Sequence, residues 1–205
     1  MRIGDVKTGT GPDDFYRMVL AEMNCSIVEA VYSVLDRLNA ELPQRCGIKL
    51  ACQSGCSLCC EQIVNVTMPE WELVEEFLRQ GDLLSKHAEQ FARAITEFTR
   101  YSKGVLHDPI RLTMASLGHP CIFLKRGRCV IYAVRPLVCR TTTSTRRCGS
   151  IVGQSGGQQM RFDYEHYANN LVLETTQLAQ GFMGVTPLPY LVGMMMAKMP
   201  GMGVT

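Results

Sequence analysis

No apolar run in this chain reaches the roughly 18–20 residues that a membrane-crossing helix needs. The opening residues, Met-Arg-Ile-Gly-Asp-Val-Lys, lack the apolar core of a secretory signal. The expectation is therefore no membrane partner and a cytoplasmic location, where thiols stay reduced. Acidic residues are missing altogether between Asp108 and Asp163, a stretch that holds Arg111, Lys125, Arg126, Arg128, Arg135, Arg140, Arg146, Arg147 and Arg161. The net charge of the chain is only +2, so this bias is local. It fits charge balance around ligating thiolates better than an anionic substrate or RNA. Aromatic residues do not interleave with the basic ones, which argues against a nucleic-acid partner.

Other signals are missing too. There are no internal repeats. The Gly-rich run from Gly149 to Gly157 has no Gly-Lys-Ser/Thr and no strand-then-helix context, so it is not a phosphate loop. His87, His107, His119 and His166 are scattered, and no Ser–His–Asp or Cys–His nucleophile arrangement stands out.

Cysteine is what the chain has in excess. Cys52, Cys56, Cys59 and Cys60 fall within nine residues, and Cys121, Cys129, Cys139 and Cys148 form a second group. The even total of ten permits disulfides, but the reduced compartment and the adjacent pair Cys59–Cys60 weigh against them. With 46% apolar residues over 205 positions, the chain can bury a core without covalent staples.

Clustered thiols suit zinc or an iron–sulfur cluster, both thiophilic. Cys56-x-x-Cys59 is a ligand pair of zinc-site spacing, whereas Cys121, Cys129 and Cys139 are separated by seven and then nine residues. The adjacent Cys59 and Cys60 point different ways and suit different sites. Eight thiols exceed one tetrahedral ion, which favours iron–sulfur over zinc. His119, two residues before Cys121, is a minor ligand candidate, although a lone histidine is more often a packed or surface residue. Cys25 and Cys46 read as non-ligands, small buried hydrophobes.

Helical spacing of Ile27, Val31, Val34, Leu35, Leu38 and Leu42 predicts one helix over 13–42, begun after Gly11-Pro12 and ended by Pro43. Residues 1–12 read as loose and 44–66 as a loop. Thr67-Met68-Pro69-Glu70 is a capping box with proline in the first turn, opening a helix that Gly81 stops. A third helix is expected from Asp82 to Ser102 and a connector over 105–120. Cys121 to Tyr132 reads as a short hairpin about Lys-Arg-Gly-Arg, bringing Cys121 near Cys129. Cys139 follows Arg135-Pro136 in a turn or short helix. The stretches from Thr141 to Thr145 and Gly149 to Gly157 read as loops. A last helix is expected from Asp163 to Gln180, ended by Gly181. Met194, Met195, Met196, Met199 and Met202 follow. They read as a flexible apolar tail packing on the domain or a partner, in preference to a soft-metal site.

These blocks resemble a known family. Cys52-Gln-Ser-Gly-Cys56-Ser-Leu-Cys59-Cys60, Pro120-Cys121-Ile-Phe-Leu, Gly127-Arg128-Cys129-Val-Ile-Tyr132 and Arg135-Pro136-Leu-Val-Cys139-Arg140 recur in order in the zinc- or iron-chelating CxxCxxCC family of small, mostly bacterial cysteine-cluster proteins. The resemblance covers roughly residues 50–140. It implies metal or iron–sulfur binding through these seven cysteines, with Cys148 outside the core blocks. Some relatives are flagellin lysine N-methylases, which makes S-adenosylmethionine a cofactor to consider and a protein lysine a substrate to consider. Arg135 and Arg140 match the family's Arg-Pro-x-x-Cys-Arg block. They either donate hydrogen bonds to cluster sulfurs, grip an anionic group, or anchor the turn through backbone carbonyls. Cys52-x3-Cys56-x2-Cys59 also has the spacing of the radical S-adenosylmethionine signature. Leu58 stands where that superfamily usually has an aromatic, and the chain lacks the βα alternation of its barrel.

The expectation from sequence is a mainly α, small single-domain helical protein over 1–205, with a short β-hairpin. Its metal-binding core spans about 46–148, with the N-terminal helix at 13–42 and the C-terminal helix and Met-rich tail at 163–205. One metal centre joins residues 52–60 to 121–148. The ligand set is Cys52, Cys56, Cys59, Cys60, Cys121, Cys129, Cys139 and Cys148, and the cofactor is an iron–sulfur cluster of 4Fe-4S type or zinc. No catalytic residue is assigned. If the protein is an enzyme, cluster-dependent methyl transfer or redox chemistry leads.

Overall fold

The computed structural model describes residues 2–52, 56–144, 158–181 and 184–198. Cys148, the run Gly149 to Gly157, Met199 and Met202 lie outside them. The fold is mainly helical, as the sequence indicated. In chain order the elements are β1 (Arg2–Val6), α1 (Pro12–Ala21), α2 (Ile27–Arg45), β2 (Asn65–Val66), α3 (Met68–Gln80), α4 (Leu83–Lys86), α5 (Ala88–Ser102) and α6 (Pro109–Ser116). There follow β3 (Leu124–Lys125), β4 (Arg128–Cys129), α7 (Leu137–Thr141), β5 (Thr143–Ser144), β6 (Gln158–Phe162), α8 (Asp163–Gln180), β7 (Thr186–Pro187) and α9 (Leu188–Ala197). Short 3-10 turns cover Leu58–Cys60 and Tyr132–Val134. No helix of the described residues is long and apolar enough to cross a membrane.

The chain divides into two compact units, Met1–Ser54 with Pro136–Gly184, and Gly55–Arg135 with Val185–Thr205. In the first unit α2 packs on α1 and α8, burying Phe15, Val31, Leu35, Ala168 and Val172. The sheet order is β1-β6-β5, with β1 parallel to β6 and β5 antiparallel to it. Residues 1–12, expected to be loose, thus supply a strand through Val6. Thr8 then donates from its backbone N and its Oγ1 to the Asp163 carboxylate, at 3.0 and 2.6 Å, at the start of α8.

The single helix expected over 13–42 is two helices. Ser26 and Glu29 form a capping box: the Ser26 N and Oγ donate to Glu29 Oε2 at 3.0 and 2.8 Å, and Ser26 Oγ accepts from the Glu29 N at 3.3 Å. That reciprocal bonding starts a new helix where the apolar spacing alone read through. Pro43 does not end α2, which continues to Arg45. Cys25 falls in the break between the helices, and both Cys25 and Cys46 are exposed, so neither is the buried hydrophobe expected. The α8 helix spans Asp163–Gln180 and ends at Gly181, at φ 76°, whose N–H donates to Gln177 O. Thr143 and Ser144, expected in a loop, are strand residues.

In the second unit α3 starts as expected. Thr67 N and Oγ1 donate to the buried Glu70 carboxylate at 2.9 and 3.0 Å. The third helix is broken at His87 into α4 and α5. Phe91, Ile95 and Phe98 of α5 are all buried, and α5 packs on α6 and α9. The expected connector over 105–120 contains α6. Asp108 accepts from the N–H groups of Ile110 and Arg111, with Pro109 at the first helical position. The part of the methionine-bearing segment that is described, through Met196, is helix instead of a flexible tail, and packs its Met195 and Met196 into the interior. Two-residue strands β2 and β7 pair antiparallel, and Leu188 N donates to Val64 O.

The hairpin is shorter than expected. Only Leu124 and Lys125 pair with Arg128 and Cys129, about Arg126 and Gly127, both at positive φ. That is the geometry of a tight two-residue hairpin loop, which suits glycine and strains arginine.

Candidate metal centre

Cysteine placement in the second unit begins with backbone bonds between sequence-distant segments. Cys60 O accepts from Cys121 N at 2.6 Å, and Glu61 O accepts from Gly118 N at 3.1 Å. Ile63 N donates to Ser116 Oγ at 3.0 Å, and that hydroxyl donates to Thr113 O at 2.8 Å. Ser116 is fully buried. The end of α6 and the residues after it therefore zip onto the segment that carries the first cysteine block. Thr113 O is available to Ser116 because α6 ends there and leaves carbonyls without helical donors.

Cys129 reaches the same neighbourhood through the hairpin, in register with Leu124. Val130 N donates to Phe123 O, and Leu124 N donates to Cys121 O, each at 2.9 Å. Gln90 of α5 clamps the other side, its Nε2 donating to Ile122 O at 2.8 Å and Leu124 O at 3.3 Å. The buried Phe123 ring meets Phe91 edge to face at 5.6 Å. Neither Ser116 nor Gln90 was legible as a positioning residue, because a polar residue on a helix carries no sequence mark of the distant backbone it will meet.

The electrostatics tie four thiols together. The Cys59 thiol falls to about 7, chiefly through a hydrogen bond with the Cys60 side chain, so the adjacent thiols meet instead of pointing different ways as expected; burial opposes the shift and a backbone bond helps it. The Cys121 thiol is pushed up to about 12 by desolvation, a hydrogen bond to the Phe123 backbone opposes this, and the negative charges of Cys129 and Cys59 add to it. Burial also raises the Cys129 thiol; a hydrogen bond to the Ile131 backbone and the Arg135 charge oppose this, and the charge of Cys59 adds to it. Burial, with a smaller contribution from neighbouring negative charge, disfavours the Cys121 and Cys129 thiolates, and a bound cation would offset both effects. Among the described residues no three Cys, His, Asp or Glu side chains already stand in a metal-coordinating arrangement. Cys59, Cys60, Cys121 and Cys129 offer only sulfur, and that chemistry fits a thiophilic group.

The remaining expected residues stand as follows. Cys56 is half-buried in the second unit, ahead of the 3-10 turn. Cys52 and Cys139 belong to the first unit. Cys52 Sγ accepts from Ser144 N at 3.2 Å, alongside a 2.7 Å bond from Ala51 N to Ser144 O. Cys139 lies on α7, its N–H donating to Pro136 O at 2.9 Å. Cys148 lies outside the described residues.

Arg135, in the second unit, donates to Tyr132 O at 3.0 Å and stacks 4.1 Å above the Tyr132 ring. Its charge reaches Cys129. Arg140 is buried in the first unit, bonded to Asp36 and stacked 4.1 Å over Tyr32. Arg140 O accepts from Asn39 Nδ2 at 3.0 Å, and Asn39 Oδ1 accepts from Tyr164 OH at 2.7 Å. Arg140 thus joins α7 to α2, and through Asn39 to α8. His119 is packed: its Nδ1 lies 3.1 Å from Glu97 Oε1, and its ring stacks on Tyr101 at 4.6 Å.

A family model named CxxCxxCC and described as "Putative zinc- or iron-chelating domain" matches residues 51–168. No curated protein and no solved structure matches the chain.

Proposed function

The chain belongs to the CxxCxxCC family of zinc- or iron-chelating domains, and on that premise we propose that it holds an iron–sulfur cluster on the second unit's thiols. The observation that carries this reading is the bond from Cys121 N to Cys60 O, which unites two cysteine blocks 61 positions apart. Cys59, Cys60, Cys121 and Cys129 are the proposed ligands. Cluster ligation accepts four thiolates. Structural zinc sites usually draw their ligands from two short-spaced pairs. The adjacent Cys59 and Cys60, with Cys121 and Cys129 seven residues apart, depart from that spacing. Arg135 offsets part of the thiolate charge beside Cys129. A cluster would supply redox or Lewis-acid chemistry at this position.

Zinc is the second reading, favoured by the count of four thiols, which equals one tetrahedral shell. Iron, zinc and acid-labile sulfide per chain, measured after oxygen-free purification, separate the two. Iron with matching sulfide is the expected result. Zinc without sulfide overturns the cluster and leaves a structural or metal-handling module. Neither metal at stoichiometric level overturns both.

A further inference from the structure

A cleft of about 280 Å3 opens within the second unit and has Cys121 in its wall. Ile63, Ala94 and Pro120 give it an accessible apolar lining. Helix α5 supplies Arg93 and, one turn on, Glu97. The Glu97 carboxylate is engaged: its Oε1 accepts from Arg100 at 3.1 Å and lies 3.1 Å from His119 Nδ1. His119 is in turn stacked on Tyr101, which also lines the cleft. Arg93 is exposed and has no hydrogen-bond or ion-pair partner among the described residues. The cleft therefore has its one carboxylate satisfied and a guanidinium without an anion.

We propose that this cleft binds a small carboxylate with an apolar body, its anion on Arg93 and its body against Ile63, Ala94 and Pro120. The planar guanidinium matches a carboxylate in a two-point contact. One unmatched cation suits a monoanion; a phosphate dianion would be left half neutralised by Arg93 alone. The volume lies just under the roughly 300–1,000 Å3 of drug-sized sites, which restricts the occupant to a small molecule. Because Cys121 shares the wall, the occupant lies beside a ligand of the proposed metal centre. The inference goes beyond the metal reading and does not depend on it.

Benzoate, its neutral isostere benzamide, and benzylamine test the assignment on the full chain as purified, by calorimetric titration. Benzoate is expected to bind about tenfold tighter than benzamide, a difference of about 1.4 kcal/mol, with benzylamine weakest. Arg93→Gln keeps a good helix former on an exposed position. It is expected to erase the preference for benzoate and leave benzamide binding unchanged. Equal binding of benzoate and benzamide, no binding of any probe, or a preference that survives Arg93→Gln overturns the proposal. Metal content read on the same samples tests the metal centre separately: a metal-free chain that still prefers benzoate sinks only the metal reading.

Discussion

Ser116→Ala isolates the contact that joins α6 to the first cysteine block. The wild-type hydroxyl is fully buried and bonds Ile63 N at 3.0 Å and Thr113 O at 2.8 Å. Alanine removes both bonds and adds no bulk. Leaving a buried donor without a partner costs about 1–3 kcal/mol. Ile63 is half-buried, so water partly replaces the hydroxyl, which narrows the expected loss to about 1–2 kcal/mol. For a chain of this length that lowers Tm by about 2–8 °C. If docking of the two segments is needed to gather Cys60 with Cys121, metal affinity falls by up to the same free energy, roughly fivefold to thirtyfold. Hydrogen exchange at the Ile63 amide and chelator competition read the two effects. Thr113→Ala, on the exposed side of α6, is the control and is expected to stay within about 0.5 kcal/mol of wild type. An Ile63 amide as protected in Ser116→Ala as in wild type, with Tm unmoved, refutes the reasoning.

Cys59→Ser and Cys121→Ser should each lower metal per chain, whereas Cys25→Ser and Cys46→Ser, at exposed thiols outside the cluster, should leave it unchanged in elemental analysis. Asp108→Ala removes the acceptor for Ile110 N and Arg111 N and should cost about 0.5–2 kcal/mol in urea unfolding. Asp36→Ala leaves the buried Arg140 guanidinium without that carboxylate. Asp36 is itself 44% exposed, so water discounts the loss to about 1–3 kcal/mol, with metal content preserved. Arg126→Asn should raise stability by a few tenths to about 1 kcal/mol, since asparagine tolerates the positive φ of the hairpin turn better than arginine.

The legible parts of the fold were those whose signal is local. The capping box at Thr67 and Glu70 forms within one turn, so four residues sufficed to place the start of α3. Gly181 ended α8 for a similar reason. Two local signals went unread: the Ser26–Glu29 box that divides α1 from α2, and Asp108-Pro109 ahead of α6. Apolar periodicity hid the first, since Ile27 continues the stripe whether or not the backbone breaks before it. The strand β1 had no such local mark. It exists through parallel pairing with residues 156 positions later, and a pairing partner at that distance leaves no trace in either segment alone.

The candidate site divides in the same way. Sequence by itself carried the chemistry: eight of the ten thiols, clustered in two blocks with few histidines, suit a thiophilic metal whatever the fold. Tertiary structure decided which cysteine-bearing segments meet. Cys60 and Cys121 are neighbours because a buried hydroxyl and two backbone bonds dock α6 onto the first block, and Cys129 joins them because a two-residue turn folds it back onto Leu124. It also placed Arg135 by Cys129 and Arg140 against Asp36, roles that one shared motif could not separate. Ligand identity follows from side-chain chemistry, which each residue carries with it. Ligand grouping follows from contacts between segments remote in the chain, and those form only when the fold satisfies its buried polar groups.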